Sequence, residues 1–131
     1  SNGVGYDISH AETGELVHPR NFGAFPRVFA EYVRKEKALS WEEAVHKMSG
    51  KPSGQFQLEK RGLLQEGYFA DIVVFQPETV ADRATMEAPY QYATGMSWIV
   101  INGSLAMEEG ELLLGKRFGR VLRRKKGWLE W

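Results

Sequence analysis

An Asn-Gly pair between two apolar runs constrains the fold of this chain more than any other feature. Asn102 and Gly103 separate residues 97–101, Ser-Trp-Ile-Val-Ile, from residues 104–107, Ser-Leu-Ala-Met. Both central residues of a type I′ turn need a positive φ, and asparagine and glycine tolerate that conformation best. The pair therefore predicts a tight antiparallel hairpin formed by these two runs.

Two further extended segments flank the hairpin. Residues 70–75, Ala-Asp-Ile-Val-Val-Phe, form a β-branched apolar run that predicts a buried strand, and Pro77 would end it. After the hairpin, Glu109-Gly110 predicts another turn that leads into the apolar residues 111–114. The second half of the chain is thus expected to form a small antiparallel β region.

Two helices are predicted before the β region. Apolar side chains recur at the i, i+3, i+4 spacing of one helix face, which favours a helix from Pro26 to about Lys37. A second short helix would begin at Trp41 and be stopped by Gly50 with Pro52. The expected buried faces are Phe25, Val28, Phe29, Tyr32 and Val33 in the first helix and Trp41, Ala44, Val45 and Met48 in the second. Helices followed by strands, without βαβ alternation, indicate the α+β class, and residues 1–17 are expected to be loop.

The loop before the first helix carries the candidate binding side chains. Pro19 and Pro26 fix φ at about −65°, so this segment should have a determined path. His18 and Arg20 would then be held at the helix mouth on a stiff loop, where scaffolds often place functional groups. The residues alone leave two interpretations open. In one, His18 caps a turn and Arg20 makes a surface ion pair; in the other, both serve a ligand.

Composition excludes several classes of function. The 131 residues contain 17 Lys and Arg against 17 Asp and Glu, so no net field attracts nucleic acid or an anionic membrane. There is no cysteine, hence no thiolate nucleophile and no zinc-thiolate site. No apolar run approaches the ~18 residues of a membrane span, and no secretion signal is evident. We therefore expect no nucleic-acid or membrane partner and a cytoplasmic protein.

A complete active site is not evident from the residues. His10, His18 and His46 show neither the HxH nor the HExxH spacing of a hydrolytic metal site. The Gly-x-x-x-x-Gly of residues 62–67 lacks the Lys-Ser/Thr of a phosphate loop, and no G-x-S-x-G elbow is present. No residue of the chain is therefore predicted to be a metal ligand.

Four stretches, taken in order, carry a resemblance to a known family. They are HPRNFGAFPRVFAEYVR, LSWEEAVHKMSGKPSGQFQL, RGLLQEGYFADIVVFQPETVADRAT and IVINGSLAMEEGELLLGKRFGRVLRR. Over nearly all of residues 18–124 the chain resembles the C-terminal portion of the N-acyl-D-amino-acid deacylases, or D-aminoacylases, of the amidohydrolase superfamily. The element at 67–75 and the Asn-Gly hairpin resemble amidohydrolases at large. His18-Pro-Arg20, Phe25-Pro-Arg27 and the string at 79–85 resemble the deacylase branch.

The resemblance implies a division of the chain. In the family, a metal-bearing (β/α)₈ barrel is accompanied by a small β-sandwich assembled from strands before and after the barrel. Residues 1–54 would be loop and helices at the end of the barrel, residues 55–124 the C-terminal share of the sandwich, and residues 125–131 a tail. The histidine ligands of the family lie upstream and match nothing here. Zinc is therefore expected in the parent enzyme and not in this fragment.

The resemblance also implies a reaction and a substrate. The parent enzyme would hydrolyse the amide bond of N-acyl-D-amino acids through metal-activated water. Arg20 would bind the free carboxylate of the substrate with its planar guanidinium, and His18 would order the loop. Arg27 is expected to be structural, and the position of Asp71 before a strand favours a turn or cap acceptor over a catalytic acid.

Asn2 stands where the family has the aspartate of a Ser-Asp-Gly motif, which contacts the metal and acts as general base. Either Asn2 replaces that aspartate, in which case a neutral amide cannot take a proton from metal-bound water, or Ser1-Asn2 is a cloning scar and the aspartate was cut away. Both hypotheses predict that the fragment alone is inactive.

An alternative function stays open at this point. The chain would then be a free-standing, non-catalytic β-rich domain. Strands that lack their usual neighbours leave edges open, and such edges favour a homodimer or the binding of a protein partner.

Overall fold

Short helical segments precede a four-stranded sheet in this protein, whose computed structural model describes residues 4–115 and 117–123. The strands follow the order β1-β2-β3-β4 in the sheet, and the α+β class predicted from the sequence is confirmed. The helical segments are a 3₁₀ segment at Ile8–Thr13, α1 at Arg20–Arg27, a π-type segment at Val28–Lys35, α2 at Trp41–Met48 and α3 at Gly50–Gln55. The strands are β1 at Ile72–Phe75, β2 at Met96–Ile101, β3 at Ser104–Glu108 and β4 at Glu111–Leu112.

The described chain divides into two units, each made of separate stretches of sequence. The first contains residues 4–41 and 75–96. The second contains residues 42–74, 97–115 and 117–123. Helix α1 therefore shares a unit with the segment that follows β1.

The first helix begins at Arg20 and not at Pro26, so the predicted start was wrong. Pro26 lies inside α1, where its missing N–H leaves the carbonyl of Phe22 without the usual i+4 donor. Beyond this point the turns widen to the π type over Val28–Lys35. Interruptions of the hydrogen-bond ladder of this kind commonly accompany a proline or a π-type turn within a helix.

The wider turns also change which side chains are buried. Phe29 and Val33 are buried as predicted, at 7% and 5% exposed, but Phe25 and Tyr32 are 47% and 46% exposed. Ala30 is buried in their place, at 8% exposed. Ala30 and Tyr32 lie in the π-type segment, where hydrogen bonds run from i to i+5 and the assumed period of 3.6 residues does not hold. Phe25 lies before it, in α1, so its exposure has a different origin.

An aromatic stack forms the centre of the first unit. The Phe29 ring lies 4.7 Å from the Phe75 ring and 5.4 Å from the Trp41 ring, between centroids. Nearby, Arg34 donates through Nη1 to the backbone carbonyls of Pro77 and Val80, each at 2.8 Å. The arginine thus fastens the turn after β1 to the helical segment.

The predicted helix stop at Gly50 and Pro52 was wrong in part. Helix α2 ends at Met48, but α3 begins directly at Gly50. Pro52 lies in the first turn of α3, where a missing N–H costs no intrahelical bond. Of the predicted α2 stripe, Ala44 is fully buried, whereas Val45 is 42% exposed.

The predicted hairpin is confirmed. Asn102 and Gly103 have φ of 50° and 80°, as a type I′ turn requires, and Ile101 pairs with Ser104 across it. The next turn also forms as predicted, and the strand that follows it, β4, is shorter than expected.

Strand β1 is in the predicted place but is not buried. Val73 and Val74 are 51% and 44% exposed. Successive strand residues point to opposite faces, so a strand of this composition is buried only when both faces are covered. The described residues of the second unit leave both valines open to solvent.

The N-terminal segment is not entirely loop as predicted. The Asp7 carboxylate accepts hydrogen bonds from the backbone N–H and the hydroxyl of Ser9, at 2.9 and 2.7 Å, and caps the 3₁₀ segment Ile8–Thr13. Both hydrogen bonds lower the pKa of the Asp7 carboxyl. A local side-chain cap therefore gives structure to a polar segment that lacks apolar periodicity.

Candidate substrate-binding site

The loop at residues 18–20 is ordered by its own histidine. Nδ1 of His18 accepts a hydrogen bond from the backbone N–H of Arg20 at 3.1 Å. The His18 carbonyl accepts from the N–H of Asn21 at 3.0 Å, so the loop leads directly into the first turn of α1. Both side chains of the pair are exposed, and the histidine fixes the backbone from which the arginine projects.

Arg20 differs from the other arginines of the helical segment. Arg27 pairs with Asp82 at 3.2 Å, and Arg34 is bound to backbone carbonyls. The side chain of Arg20 makes no hydrogen bond or ion pair with any other residue that the structure describes. Its charge is therefore free to meet a ligand anion.

Arg20 also lines a hollow of about 320 Å³ in the first unit. Its other walls are largely apolar; besides Gly5 and Asn21 they are formed by Val4, Phe22, Ala24, Phe25 and Pro26. The side-chain oxygen of Asn21 accepts from the backbone N–H of Val4 at 2.8 Å, which holds the N-terminal segment against this rim. A cation beside an apolar wall suits a ligand that has a carboxylate and an apolar group a few atoms apart.

The string at residues 79–85, which the sequence analysis linked to the deacylase branch, packs on α1. Gly23 of α1 lies so close to Asp82 that a Cβ at Gly23 would be 2.6 Å from the Asp82 Cβ. Arg27 forms its ion pair with the same carboxylate, and this agrees with its predicted structural role. This string is thus a support of the helix that carries Arg20.

An aromatic cluster beside the loop was missed by the sequence analysis. It consists of Tyr6, His10, Phe22, Tyr90 and Tyr92, with centroid distances of 4.9 to 6.1 Å between neighbours. The members come from three separate segments, and those near Tyr90 belong to a polar, turn-rich stretch without periodicity. Only the high aromatic content of residues 90–92 could have hinted at it.

The described residues do not fit a catalytic metal. Within residues 4–115 and 117–123, no three His, Asp or Glu side chains lie close enough together to hold an ion. His10 contacts Glu15 at 2.9 Å, His18 accepts from the Arg20 backbone, and His46 is exposed on α2. We therefore assign no chemical step through a metal to these residues.

Some predictions fall outside the described residues. Asn2, at the position of the family's aspartate, is one of them, and the predicted tail at 125–131 is another. As for membranes, none of the helices in the described part of the chain has the length and apolarity needed to cross a bilayer.

Comparison with protein families and curated proteins gives consistent matches. The model of the Amidohydrolase family matches residues 9–106. A D-aminoacylase of Alcaligenes xylosoxydans xylosoxydans is 46% identical over 110 residues, which are 84% of this chain and 22% of the relative. The resemblance to D-aminoacylases inferred from the four sequence stretches is thus confirmed.

Solved structures of the same family also match this chain. The crystal structure of a D-aminoacylase matches with a TM-score of 0.79 and 44% identity, over 84% of this chain and 23% of that one. An N-acyl-D-glutamate deacylase from Bordetella bronchiseptica, complexed with zinc and a phosphonate mimic of the tetrahedral intermediate, matches with a TM-score of 0.75 and 40% identity. That match covers 81% of this chain and 22% of the deacylase. The chain therefore spans about a fifth of the length of the relatives it matches.

Proposed function

This chain belongs to the amidohydrolase family, and on that premise we propose that it is the C-terminal portion of an enzyme that hydrolyses the amide bond of N-acyl-D-amino acids. The proposal is supported by the names of its relatives, a D-aminoacylase and an N-acyl-D-glutamate deacylase. The observation that carries it is Arg20, whose guanidinium has no partner among the described residues and lines an apolar hollow.

Arg20 would bind the free carboxylate of the substrate. A guanidinium presents two parallel N–H donors that match the two oxygens of a carboxylate, and it stays charged at any working pH. His18 would contribute by holding the Arg20 backbone through Nδ1. The apolar wall at Phe22 and Phe25 would contact the apolar part of the same ligand. The carboxylate is not the reacting group, so this contact would serve binding and orientation.

The remaining parts of the proposal concern the parent enzyme. Residues 1–54 would lie at the end of its barrel, residues 55–124 would form a share of its β-sandwich, and residues 125–131 would be a tail. Zinc would be held by residues outside the described chain, which is supported by the zinc in the B. bronchiseptica deacylase. The parent would be cytoplasmic. Both hypotheses for Asn2 stand, and under either one this chain alone is inactive.

The test is made in the full-length protein that carries this segment, supplied with zinc and with aspartate at position 2, so that the general base is present under either hypothesis for Asn2. Arg20→Ala should raise KM for an N-acetyl-D-amino acid by about 10- to 100-fold, because a charge-assisted hydrogen bond contributes roughly 1.5–3 kcal/mol. The value of kcat should change little, since the contact is equal in ground state and transition state. The KM of Arg20→Lys should lie between those of the unaltered enzyme and of Arg20→Ala. A lysine keeps the positive charge but lacks the two parallel N–H donors of the guanidinium.

Arg83 supplies the matched control. It is exposed and its side chain has no partner among the described residues, so Arg83→Ala should leave KM unchanged. An unaltered KM in Arg20→Ala would end the assignment of the carboxylate contact. Hydrolysis of N-acetyl-D-amino acids by the 131-residue chain with zinc alone would contradict the proposal that the site is incomplete.

The alternative, a free-standing domain that dimerises, is favoured by one observation. Strand β1 lies at the end of the described sheet, and its Val73 and Val74 are 51% and 44% exposed. A second copy pairing along β1 would cover this edge. Gel filtration of the chain tests it: a dimer that Val73→Lys converts to a monomer supports this function, and a monomer at all concentrations rules it out.

A further inference from the structure

We propose that Tyr90 is a positioning residue for Arg20, because it holds the loop that carries the arginine from both sides. The inference rests on the proposed function of Arg20 and adds to it a residue that does not itself touch the substrate. It follows from contacts made by two different parts of the tyrosine side chain.

The hydroxyl of Tyr90 holds the segment before the loop. It donates a hydrogen bond to the backbone carbonyl of Glu15 at 2.7 Å, across 75 positions of sequence. Glu15 lies three residues before His18, the residue that fixes the Arg20 backbone. The carbonyl belongs to a stretch outside any helix or strand, so this hydrogen bond is a specific restraint on the path of the chain there.

The ring of Tyr90 holds the segment after the loop. It meets the Phe22 ring edge-on, with centroids 5.6 Å apart and planes at 66°. Such edge-to-face pairs are favoured by the ring quadrupoles and define an orientation as well as a distance. Phe22 lies in the first turn of α1, two residues after Arg20, and lines the same hollow. One side chain therefore connects the two flanks of the loop.

A second group restrains the same glutamate. His10 Nε2 contacts the Glu15 carboxylate at 2.9 Å, and the His10 ring lies 6.1 Å from the Tyr90 ring. Glu15 is thus held through its backbone by the tyrosine and through its side chain by the histidine. The hydroxyl is the part of this cluster whose removal leaves every ring in place.

The hydroxyl acts as a donor, and its surroundings keep it protonated. Burial is the main cause that raises the pKa of Tyr90, and the Glu15 carboxylate and Tyr6 raise it further. The restraint on the Glu15 carbonyl is therefore present throughout the neutral and mildly alkaline range in which a hydrolase would be assayed.

The test compares the full-length protein with and without Tyr90→Phe, both supplied with zinc and with aspartate at position 2. Phenylalanine keeps the ring contact with Phe22 and lacks the hydroxyl. KM for an N-acetyl-D-amino acid should rise by about 2- to 10-fold, the range for loss of one neutral hydrogen bond, with kcat unchanged. Tyr92→Phe is the matched control. Its ring also neighbours Phe22, at 6.0 Å, but its hydroxyl has no partner among the described residues, so KM should not change.

Two further measurements separate positioning from a general loss of structure. In an Arg20→Ala background, Tyr90→Phe should leave KM unchanged, because residues that act through one contact are not additive. With the N-acetyl-D-amino-acid carboxamide, which keeps the scissile N-acetyl bond and has no carboxylate, Tyr90→Phe should likewise leave KM unchanged. A fully additive double variant, or an equal loss for both substrates, would overturn the inference while the Arg20 effect stands. If Arg20→Ala itself has no effect, the proposed function fails and the inference fails with it.

Discussion

Arg61 and Asn102 are joined by a hydrogen bond from guanidinium Nη2 to the side-chain oxygen, across 41 positions of sequence. The same guanidinium donates to the Asp71 carboxylate and lies over the Phe69 ring, 4.3 Å from its centroid. Asp71 in turn accepts from the backbone N–H of Asn102 at 2.8 Å. Within the second unit, one arginine therefore attaches the hairpin turn to the chain that enters β1.

Arg61→Lys should destabilise the chain by about 1–3 kcal/mol, because a single ammonium cannot replace the two donors and the flat face that the guanidinium presents. The side chain of Arg61 is only 10% exposed, so water compensates little for the lost contacts. The measurement is the urea midpoint of the 131-residue chain, followed by circular dichroism.

Arg120→Lys is the control for Arg61→Lys. Arg120 is exposed, so its exchange should change the free energy of unfolding by no more than about 0.5 kcal/mol. Equal midpoints for the two lysine variants would show that the Arg61 cluster adds nothing to stability.

The sequence could predict the hairpin and the role of Asp71 but could not predict this cluster. The requirement for positive φ at Asn102 and Gly103 is local, so the residue types reveal it. Asp71, expected as a turn acceptor, indeed accepts from the turn. The partners of Arg61 are set by how distant segments pack, and no local spacing encodes that.

The candidate site was predictable to a similar degree. Pro19 and Pro26 predicted a stiff loop that carries His18 and Arg20, although Pro26 lies inside the helix. The apolar wall was not predicted, because it combines residues of α1 with Val4 of the distant N-terminal segment. Tyr90 could not be found, because its restraint on Glu15 bridges 75 positions and starts from a segment with no periodic pattern.

Gly23→Ala should destabilise the chain by about 1–3 kcal/mol, although alanine is the better helix former. The new Cβ would lie 2.6 Å from the Asp82 Cβ, so either α1 or the segment that carries Asp82 must move. The measurement is the thermal midpoint of the chain.

Gly54→Ala provides the comparison for this exchange. Gly54 is also helical, in α3, and a Cβ there would meet nothing within 4 Å, so the exchange should be neutral or stabilising. A Gly23→Ala variant as stable as Gly54→Ala would mean that the close approach to Asp82 is not a real constraint.

Arg34→Met should also destabilise the chain, by about 1–3 kcal/mol, because the carbonyls of Pro77 and Val80 both lose their donor. Methionine keeps the unbranched apolar stem and removes only the guanidinium. Val80 is fully buried, so its carbonyl has little access to replacement water. Urea unfolding of the chain measures the loss.

The neighbouring Lys35 tests whether charge removal alone explains the Arg34 effect. Lys35 pairs with Glu31 one turn away on an exposed surface, at 2.9 Å, and Lys35→Met should shift the urea midpoint far less. Similar shifts in both methionine variants would argue against a specific role of the Arg34 hydrogen bonds.

The stability of the chain should fall in alkaline solution partly through Tyr90. Burial raises the pKa of this hydroxyl above its ordinary value of 10.0, with the Glu15 carboxylate and Tyr6 adding to the effect. A raised folded-state pKa means that the folded chain holds the proton more tightly than the unfolded chain. The stabilisation that results is therefore complete below the pKa that Tyr90 has in the unfolded chain. It is lost as pH rises through the pKa that Tyr90 has in the folded chain. Tyr90→Phe should remove this part of the alkaline loss, which sets in as pH reaches about 10 and continues above it, as measured by unfolding midpoints at increasing pH. Tyr92→Phe should keep the loss, and superimposable pH profiles for the unaltered chain and Tyr90→Phe would contradict the prediction.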